Sequence, residues 1–99
     1  MNDTLYVMMI ERGKAYNKVT KEVIIRHIEH IKSIDERGLL FVCGLLKGYP
    51  GVAGMVILKT ESFEQAEEIC KAEPLVAEGY AKYKLSTMQV GSRENNFLL

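Results

Sequence analysis

The chain contains no tryptophan, only two prolines and two cysteines, and no excess of charge of either sign. Its 13 basic side chains are balanced by 13 acidic ones. Proteins bind nucleic acids largely through clustered positive charge, so this balance argues against a nucleic-acid-binding protein. Cys43 and Cys70 lie far apart and form no C-x-x-C pattern, which predicts two reduced thiols.

Long hydrophobic runs are also missing. The longest apolar stretch, Leu39 to Leu46 with Gly44 inside it, is far too short to span a membrane. The N-terminus lacks the basic start and the small-residue cleavage site of a secretory signal, so we expect a cytoplasmic protein with no membrane partner. A length of 99 residues with 47% apolar and 26% charged side chains is typical of one globular domain. We predict that this domain spans residues 1–99, with its core at about 5–88 and a C-terminal tail at 89–99.

Caps, turns and hydrophobic periodicity divide the chain into strands and helices. Thr20 as N-cap and Gly38 as the stop predict a helix over residues 20–37. The capping box Ser62–Gln65 begins a second helix, which Pro74 ends. The order β-α-β-β-α-β predicts a ferredoxin-like α+β plait, a four-stranded antiparallel sheet with two helices on one face. The four strands are predicted from apolar segments at 5–10, 39–46, 54–59 and 81–85.

One face of this predicted sheet has no helix to cover it. A strand face that meets water normally alternates apolar and polar residues, whereas Leu5–Ile10 and Leu39–Leu46 are apolar at both odd and even positions. A second copy of the chain is the simplest cover for that face. We therefore predict a homodimer packed sheet to sheet, a dimeric α+β barrel-type assembly, in which Phe97, Leu98 and Leu99 reach across to the partner.

Both histidines of the chain lie in the first predicted helix, in the stretch VIIRHIEHIK. At about 100° per residue, the isoleucines of this helix form an apolar arc, and His27 falls inside it. His30 falls on the margin of the arc, near Arg26 and Arg37. We predict that His27 points at the sheet and that His30 is a helix-surface residue. The isoleucines of the arc are Ile24, Ile28, Ile31 and Ile34.

Several interpretations of His27 stay open on the residues alone. It is either a buried neutral imidazole bonded to a backbone carbonyl or a functional group, because buried ionisable groups indicate function only in some cases. A metal site with His30 needs a third ligand, and beyond Cys43 and Cys70 the chain has no further cysteine or histidine. No nucleotide or redox-cofactor motif is visible, so we predict neither a metal nor a cofactor.

Glu73 is a second candidate residue. It lies between Ala72 and Pro74 at the end of the second helix, and the residue before a proline is pushed out of the helical region. Its carboxylate is either a solvated charge at the helix end or a group that turns under the edge of the sheet toward the first helix.

The stretch H-I-x-x-I-x-x-I-D-E-R-G-L-L-F-V-C-G-L, followed by S-F-E-Q-A-E-E-I and A-E-P-L-V-A-E-G, resembles the YciI-like (YCII-related) family. The resemblance extends from Leu5 to about Met88. Family members have a histidine eleven residues before the glycine that ends the first helix, which corresponds to His27 and Gly38. An aspartate–proline segment follows their second helix, and Glu73 stands in the position of that aspartate.

The resemblance implies a ferredoxin-like dimer with a pocket that holds a histidine–carboxylate pair, here His27 and Glu73. Most members lack an established reaction, but one branch acts on chlorinated muconolactones as a dehalogenase, and the fold is shared with muconolactone isomerases. We expect general acid/base chemistry of the lyase, isomerase or dehalogenase kind on a small organic acid or lactone. Gly44 would let the ligand approach the strand backbone, and Lys47 or Tyr49 would meet an anionic group. The alternative is a non-catalytic small-ligand-binding or interaction module of the same fold.

Overall fold

A computed structural model, which describes residues 3–99, contains four strands and three α-helices within that range. The strands are β1 (Thr4–Arg12), β2 (Leu40–Leu45), β3 (Val52–Leu58) and β4 (Ala81–Gln89), and the helices are α1 (Lys21–Glu36), α2 (Phe63–Ala72) and α3 (Pro74–Ala77). All neighbouring strands pair antiparallel in the order β2-β3-β1-β4. The predicted ferredoxin-like α+β fold is therefore confirmed. Residues 1 and 2 of the predicted domain lie outside the described residues.

Capping residues determine both ends of α1. At the N-terminus the Thr20 hydroxyl accepts a hydrogen bond from the Val23 backbone N–H at 3.3 Å. At the C-terminus Gly38 takes a positive φ of 73°, and the Leu39 N–H donates to the Ile34 carbonyl at 3.0 Å. Glycine adopts this left-handed geometry without strain, so the chain turns sharply into β2. The predicted bounds of this helix are confirmed to within one residue.

The buried side of α1 is not centred where the sequence predicts. Val23 and Ile34 are buried, whereas Ile24 and Ile28 are 36% and 46% exposed. The buried arc therefore runs through Val23, His27 and Ile34. The reason is tertiary, because α3 packs against this side of α1 and helical periodicity does not show where a third element lies. The predicted burial of Ile24 and Ile28 is wrong, and the correction places His27 nearer the middle of the buried face.

The cap of α2 differs from the predicted capping box in one bond. The Ser62 hydroxyl accepts from the Gln65 N–H at 3.1 Å, as predicted. Gln65 Oε1, however, accepts from the Glu61 N–H at 2.9 Å instead of from that of Ser62. Both bonds still satisfy N–H groups around the start of the helix. The buried residues of α2 are Ala66, Ile69 and Cys70.

Strand β1 is longer than predicted because its pairing with β4 continues to Arg12, which lies opposite Ala81. Its register with β3 shifts between Ile10 and Glu11, so that Ala53 of β3 has no residue opposite it. An extra residue of this kind is a β-bulge, which bends the strand and redirects the side chains beside it. The end of β1 therefore lies next to a distorted part of β3.

Strands β2 and β3 approach each other closely at two glycines. A Cβ atom on Gly54 would lie 2.7 Å from the Gly44 carbonyl oxygen. Only glycine fits at position 54 without a shift of the backbone. The sheet consequently presents bare backbone at this pair, which a small molecule can approach closely.

The core lies between the helices and one face of the sheet. The opposite face carries no helix, and Val7, Met9, Met55 and Ile57 are only partly buried there. Within residues 3–99, no helix combines the length and the apolar character needed to cross a membrane. The buried core cluster consists of Met8, Ile10, Val23, Ile34, Ala53, Val56, Leu58, Ala66, Ile69, Cys70, Leu75 and Ala81.

Candidate active site

Glu73 is the residue at which α2 ends and α3 begins. Its φ of -62° and ψ of 123° lie outside the helical region, as predicted for a residue before proline. The side chain is 1% exposed. Oε2 accepts hydrogen bonds from the backbone N–H groups of Leu75 and Val76 at 2.7 and 3.3 Å. The interpretation of Glu73 as a solvated helix-end charge is therefore wrong, since the carboxylate caps α3 and faces inward.

His27 reaches the same carboxylate from α1. Its Nδ1 is hydrogen-bonded to Oε1 of Glu73. A carboxylate only accepts, so Nδ1 carries a proton, and in the neutral form of the ring Nε2 then has the free lone pair. Within residues 3–99, Nε2 has no hydrogen-bond partner, and the ring is partly buried. The structure therefore brings His27 and Glu73 together, and the partner of the imidazole is not a backbone carbonyl.

His27 lines a cavity of about 220 Å³ between α1 and the β2–β3 side of the sheet. That volume equals about seven molecules of liquid water, so it suits a ligand smaller than a typical drug. Most of the wall is apolar, and the glycine pair of β2 and β3 forms part of it. The lining residues are Ile10, Tyr16, His27, Ile31, Cys43, Gly44, Leu45, Ala53, Gly54, Met55, Val56 and Leu75.

The three residues predicted to bind the ligand occupy different places. Gly44 lines the cavity, whereas Lys47 and Tyr49 are not among its lining residues. Both lie exposed in the loop at 46–51, which joins β2 to β3. Contact of Lys47 or Tyr49 with an anionic ligand stays a prediction, and the walls of the cavity do not include either side chain.

His30 is not a free surface residue. Its Nε2 donates to the carbonyl oxygen of Ile69 in α2 at 3.1 Å, and the side chain is partly buried. Helix α2 lies over the margin of α1 on which His30 falls, which explains the difference from the prediction. His27 and His30 therefore contact different elements. Within residues 3–99, no three His, Cys, Asp or Glu side chains are grouped so that they could hold a metal ion.

An ion pair beside His27 was not predicted from the sequence. Arg26 of α1 pairs with Glu78, the residue that follows α3. Helix α1 thus holds both ends of α3, with His27 bound to the carboxylate at its start and Arg26 to the carboxylate at its end. Nothing local in the sequence indicates this pairing, because it depends on where α3 packs.

Two further residues at the cavity were also missed. Tyr16 lines the cavity from the 3-10 turn Tyr16–Lys18. The guanidinium carbon of Arg12 lies 5.5 Å from the centroid of the Tyr16 ring, which is within range of a cation–π contact. A signal for Arg12 was present, because it follows Ile10 by two positions and residues two apart share a face of a strand.

Cys70 lies close to the pair without taking part in it. Burial, together with the charges of Glu67 and Glu73, raises the pKa of the Cys70 thiol from its ordinary 9.0 to about 12. The thiol is therefore protonated at neutral pH and inert as a nucleophile. Cys43 is exposed and also lines the cavity. Both cysteines are free thiols, as predicted.

Comparisons with known proteins identify the fold. No protein-family model and no curated protein sequence matches the chain. Among solved structures it is similar to 5-chloro-2-hydroxyhydroquinone dehydrochlorinase (TftG) from Burkholderia phenoliruptrix AC1100 in complex with 2,5-dihydroxybenzoquinone. The TM-score is 0.72 and the identity 12%, over 93% of this chain and 99% of that one. This likeness shows the same fold, and membership of the YciI-like family stays a prediction.

The regulatory subunit of aspartate kinase from Thermus thermophilus, in its ligand-free form, is a weaker match. Its TM-score is 0.45 at 16% identity, over 95% of this chain and 62% of that one. A likeness of this size supports no inference about the present chain.

Proposed function

We propose that this protein is an enzyme that uses His27 as a general acid and base on a small organic acid or lactone, with Glu73 positioning the imidazole. One observation carries the proposal: a buried carboxylate binds Nδ1 of a histidine whose ring lines a cavity. Two backbone N–H groups fix that carboxylate, so the imidazole is held in one orientation and one tautomer. General acid/base catalysis depends on a side chain that is positioned to accept or donate a proton in this way.

In the proposed step, Nε2 of His27 accepts a proton from a ligand carbon next to a carbonyl group. The C–H bonding pair forms the C=C bond of an enolate, and the carbonyl oxygen takes the negative charge. His27 becomes an imidazolium, whose charge Glu73 stabilises. Return of the proton to another carbon completes an isomerisation, and departure of a leaving group with its bonding pair completes an elimination. The mostly apolar walls lower the local polarity, which strengthens the attraction between the imidazolium and the enolate.

The structurally similar dehydrochlorinase supports the reaction class. Its name describes removal of hydrogen chloride from a chlorinated hydroxyhydroquinone, and it was solved with 2,5-dihydroxybenzoquinone. Both compounds are small and flat and carry ionisable hydroxyl groups. A cavity of about 220 Å³ has room for one ring of this kind. We take the reaction class from this likeness and leave the substrate to experiment.

The test measures proton exchange on a panel of lactones and 2-oxo acids in heavy water, with deuterium uptake at the ligand carbon followed by NMR. We expect wild type to accelerate uptake for at least one compound. His27→Ala should lower that rate by about a hundredfold or more, the usual loss for a missing general base. His30→Ala is the matched control, because it removes the other histidine of α1, which contacts α2 and does not line the cavity. Its rate should stay close to that of wild type.

Two results would decide against the assignment. A wild-type rate that survives in His27→Ala would exclude His27 as the base. Saturable binding without any proton exchange in wild type would favour the alternative, a non-catalytic ligand-binding module of the same fold. Glu73→Gln separates positioning from binding, since we expect a slower exchange rate with little change in ligand affinity.

We also propose that the protein is a homodimer, packed through the sheet face without helices. Val7, Met9, Met55 and Ile57 form a partly buried apolar stripe across the centre of that face. Val42 of the edge strand pairs with Ile57 and is exposed beside the stripe. A water-facing sheet normally alternates polar and apolar residues, and contiguous apolar surface of this kind favours association. A cytoplasmic location stays a prediction.

Light scattering after size-exclusion chromatography tests the dimer. We expect wild type to have the mass of two chains at micromolar concentration and Ile57→Lys to have the mass of one. Ile25→Lys is the control, because Ile25 is exposed on the outer side of α1. The C-terminal side chains Phe97, Leu98 and Leu99 are exposed, and their deletion should weaken the dimer if they reach across to the partner. A monomeric wild type would overturn the proposal.

A further inference from the structure

Arg12 is an exposed residue that does not itself line the cavity but contacts Tyr16, which does. It is the last residue of β1, and its position puts its side chain on the same face as that of Ile10, since residues two apart share a face. Ile10 lines the cavity. The residue opposite Arg12 in β4 is Ala81, which is buried in the core on the helix side. Arg12 therefore continues the row of helix-facing residues just beyond Ile10.

Two contacts hold the Arg12 guanidinium in place. Nη1 donates to the Val52 carbonyl oxygen at 3.1 Å, and the guanidinium carbon lies 5.5 Å from the centroid of the Tyr16 ring. Val52 directly precedes Ala53, and both Ala53 and Tyr16 line the cavity. The positive charge is thus held next to Tyr16, which lines the cavity, and to Val52, the neighbour of another lining residue.

Arg12 has no ionic partner within residues 3–99. The ion pairs found there all involve other cations, and the neighbouring Glu11 pairs with Lys84 at 3.5 Å. A guanidinium carries five N–H donors and stays charged at any ordinary pH. One of these donors goes to Val52, and the others have no carboxylate to bind within the described part of the chain. An exposed cation without a counter-charge therefore lies beside a mostly apolar cavity, where it can reach a ligand that extends from the opening.

We propose that Arg12 binds an anionic group of the ligand, so that the cavity selects small carboxylates over uncharged molecules of the same shape. The inference rests on the proposed function for the role of His27 at the other end of the ligand. A flat or short apolar body would lie along the cavity, with its carboxylate on Arg12 and its acidic C–H or O–H group at His27. The planar guanidinium binds a carboxylate through two parallel N–H groups, and the cation–π contact with Tyr16 helps to hold the guanidinium at this place.

The experiment compares two probes of nearly equal shape, 4-hydroxybenzoate and 4-hydroxybenzamide, by NMR titration of the full chain. Wild type should bind the benzoate more tightly. Arg12→Met should weaken benzoate binding by about tenfold or more, the usual size for a hydrogen bond to a charged group. Binding of the benzamide should not change, and Arg12→Lys should lose part of the benzoate affinity. Lys32→Met is the matched control, because it removes an exposed cation of α1 that does not line the cavity, and both affinities should stay as in wild type.

Four results would overturn the proposal. They are unchanged benzoate binding in Arg12→Met, equal losses for both probes, a loss that appears in Lys32→Met instead, and no saturable benzoate binding to wild type. Equal losses would mean that Arg12 only supports the walls through Val52 and Tyr16. If melting shows that Arg12→Met is unfolded, Arg12→Gln replaces it, since glutamine keeps an N–H donor for the Val52 carbonyl.

Failure of this proposal is distinguishable from failure of the acid/base function. Charge-selective binding without deuterium exchange leaves the Arg12 site standing and removes the chemistry assigned to His27. Exchange that depends on His27 but shows no preference for carboxylates leaves the chemistry of His27 standing and removes the Arg12 site.

Discussion

Two sides of the site are built differently. One side is the helix junction, which we define as His27, Glu73 and Cys70, where α1, α2 and α3 meet and of which His27 lines the cavity. Within residues 3–99, every buried side-chain nitrogen and oxygen has a hydrogen-bond partner. The other side is the open edge, which we define as Cys43 and Leu45 of β2. Leu45 is apolar and 80% exposed even though it lines the cavity.

The difference follows from how deeply each side is buried. A buried carboxylate costs free energy unless its partners are in place, and both oxygens of Glu73 in the helix junction are hydrogen-bonded. The open edge is exposed, so it contributes little to the stability of the protein. Substitutions on the two sides should therefore have unequal effects, and four measurements test this contrast.

The largest effect is expected in thiol reactivity. At pH 8, iodoacetamide should alkylate Cys43 of the open edge rapidly and Cys70 of the helix junction slower by orders of magnitude, because burial raises the pKa of Cys70 to about 12. Mass spectrometry of timed samples measures both rates. In denaturant the two rates should become similar. Equal rates in the native protein would mean that the helix junction opens freely.

The same pKa shift predicts a pH dependence of stability. The folded state keeps the Cys70 proton up to a pKa of about 12, whereas the unfolded chain releases it near 9.0. The folded state therefore binds more protons between these values, so the free energy of unfolding should fall as pH rises from about 9.0 toward about 12. Urea unfolding at several pH values measures this, and Cys70→Ala should show a shallower fall. An equally steep fall in that variant would contradict the assignment to Cys70.

Truncation of Glu73 should destabilise the protein strongly. Glu73→Ala leaves the N–H groups of Leu75 and Val76 and the Nδ1 of His27 without their acceptor, and we expect a loss of about 2–4 kcal/mol in the free energy of unfolding. Leu45→Ala in the open edge should change it by less than about 0.5 kcal/mol, as is usual for an exposed position. Urea unfolding compares the two variants. Similar losses would remove the contrast between the two sides.

The ion pair of Arg26 and Glu78 should contribute least. Its side chains are 44% and 37% exposed, so solvent and salt screen the attraction, and we expect a coupling of less than about 1 kcal/mol. A double-mutant cycle of Arg26→Ala and Glu78→Ala, measured at low and high salt, gives this coupling. A coupling as large as the effect of Glu73→Ala would show that the pair is needed to hold α3.

The parts of the fold that depend on neighbouring residues could be predicted from the sequence. The caps at Thr20 and Ser62 and the glycine stop at Gly38 act within one turn of the chain, and the structure contains all three. Glu73 became a candidate for a local reason as well, because the residue before Pro74 leaves the helical region. The resemblance then supplied its partner, His27, which lies 46 positions away.

The rest of the site depends on contacts between distant elements. The buried face of α1 is determined by α3, so periodicity alone predicts the burial of Ile24 and Ile28, which are exposed. Arg12 comes next to Tyr16 of the cavity because β1 continues beyond the β-bulge at Ala53, and neither the length nor the register of that pairing is visible in the sequence. The charge of Lys47 and its place after β2 predict a contact with the ligand, but the loop does not bring it to the cavity wall.

Leu75 contributes to the site in two ways, through its backbone and through its side chain. Its backbone N–H donates to Oε2 of Glu73 at 2.7 Å, and its side chain lines the cavity. Every amino acid except proline keeps that N–H, so a replacement at position 75 reshapes the cavity and leaves the support of the carboxylate in place. In evolutionary terms, the shape of the cavity can change at this position while the histidine–carboxylate pair is inherited unaltered.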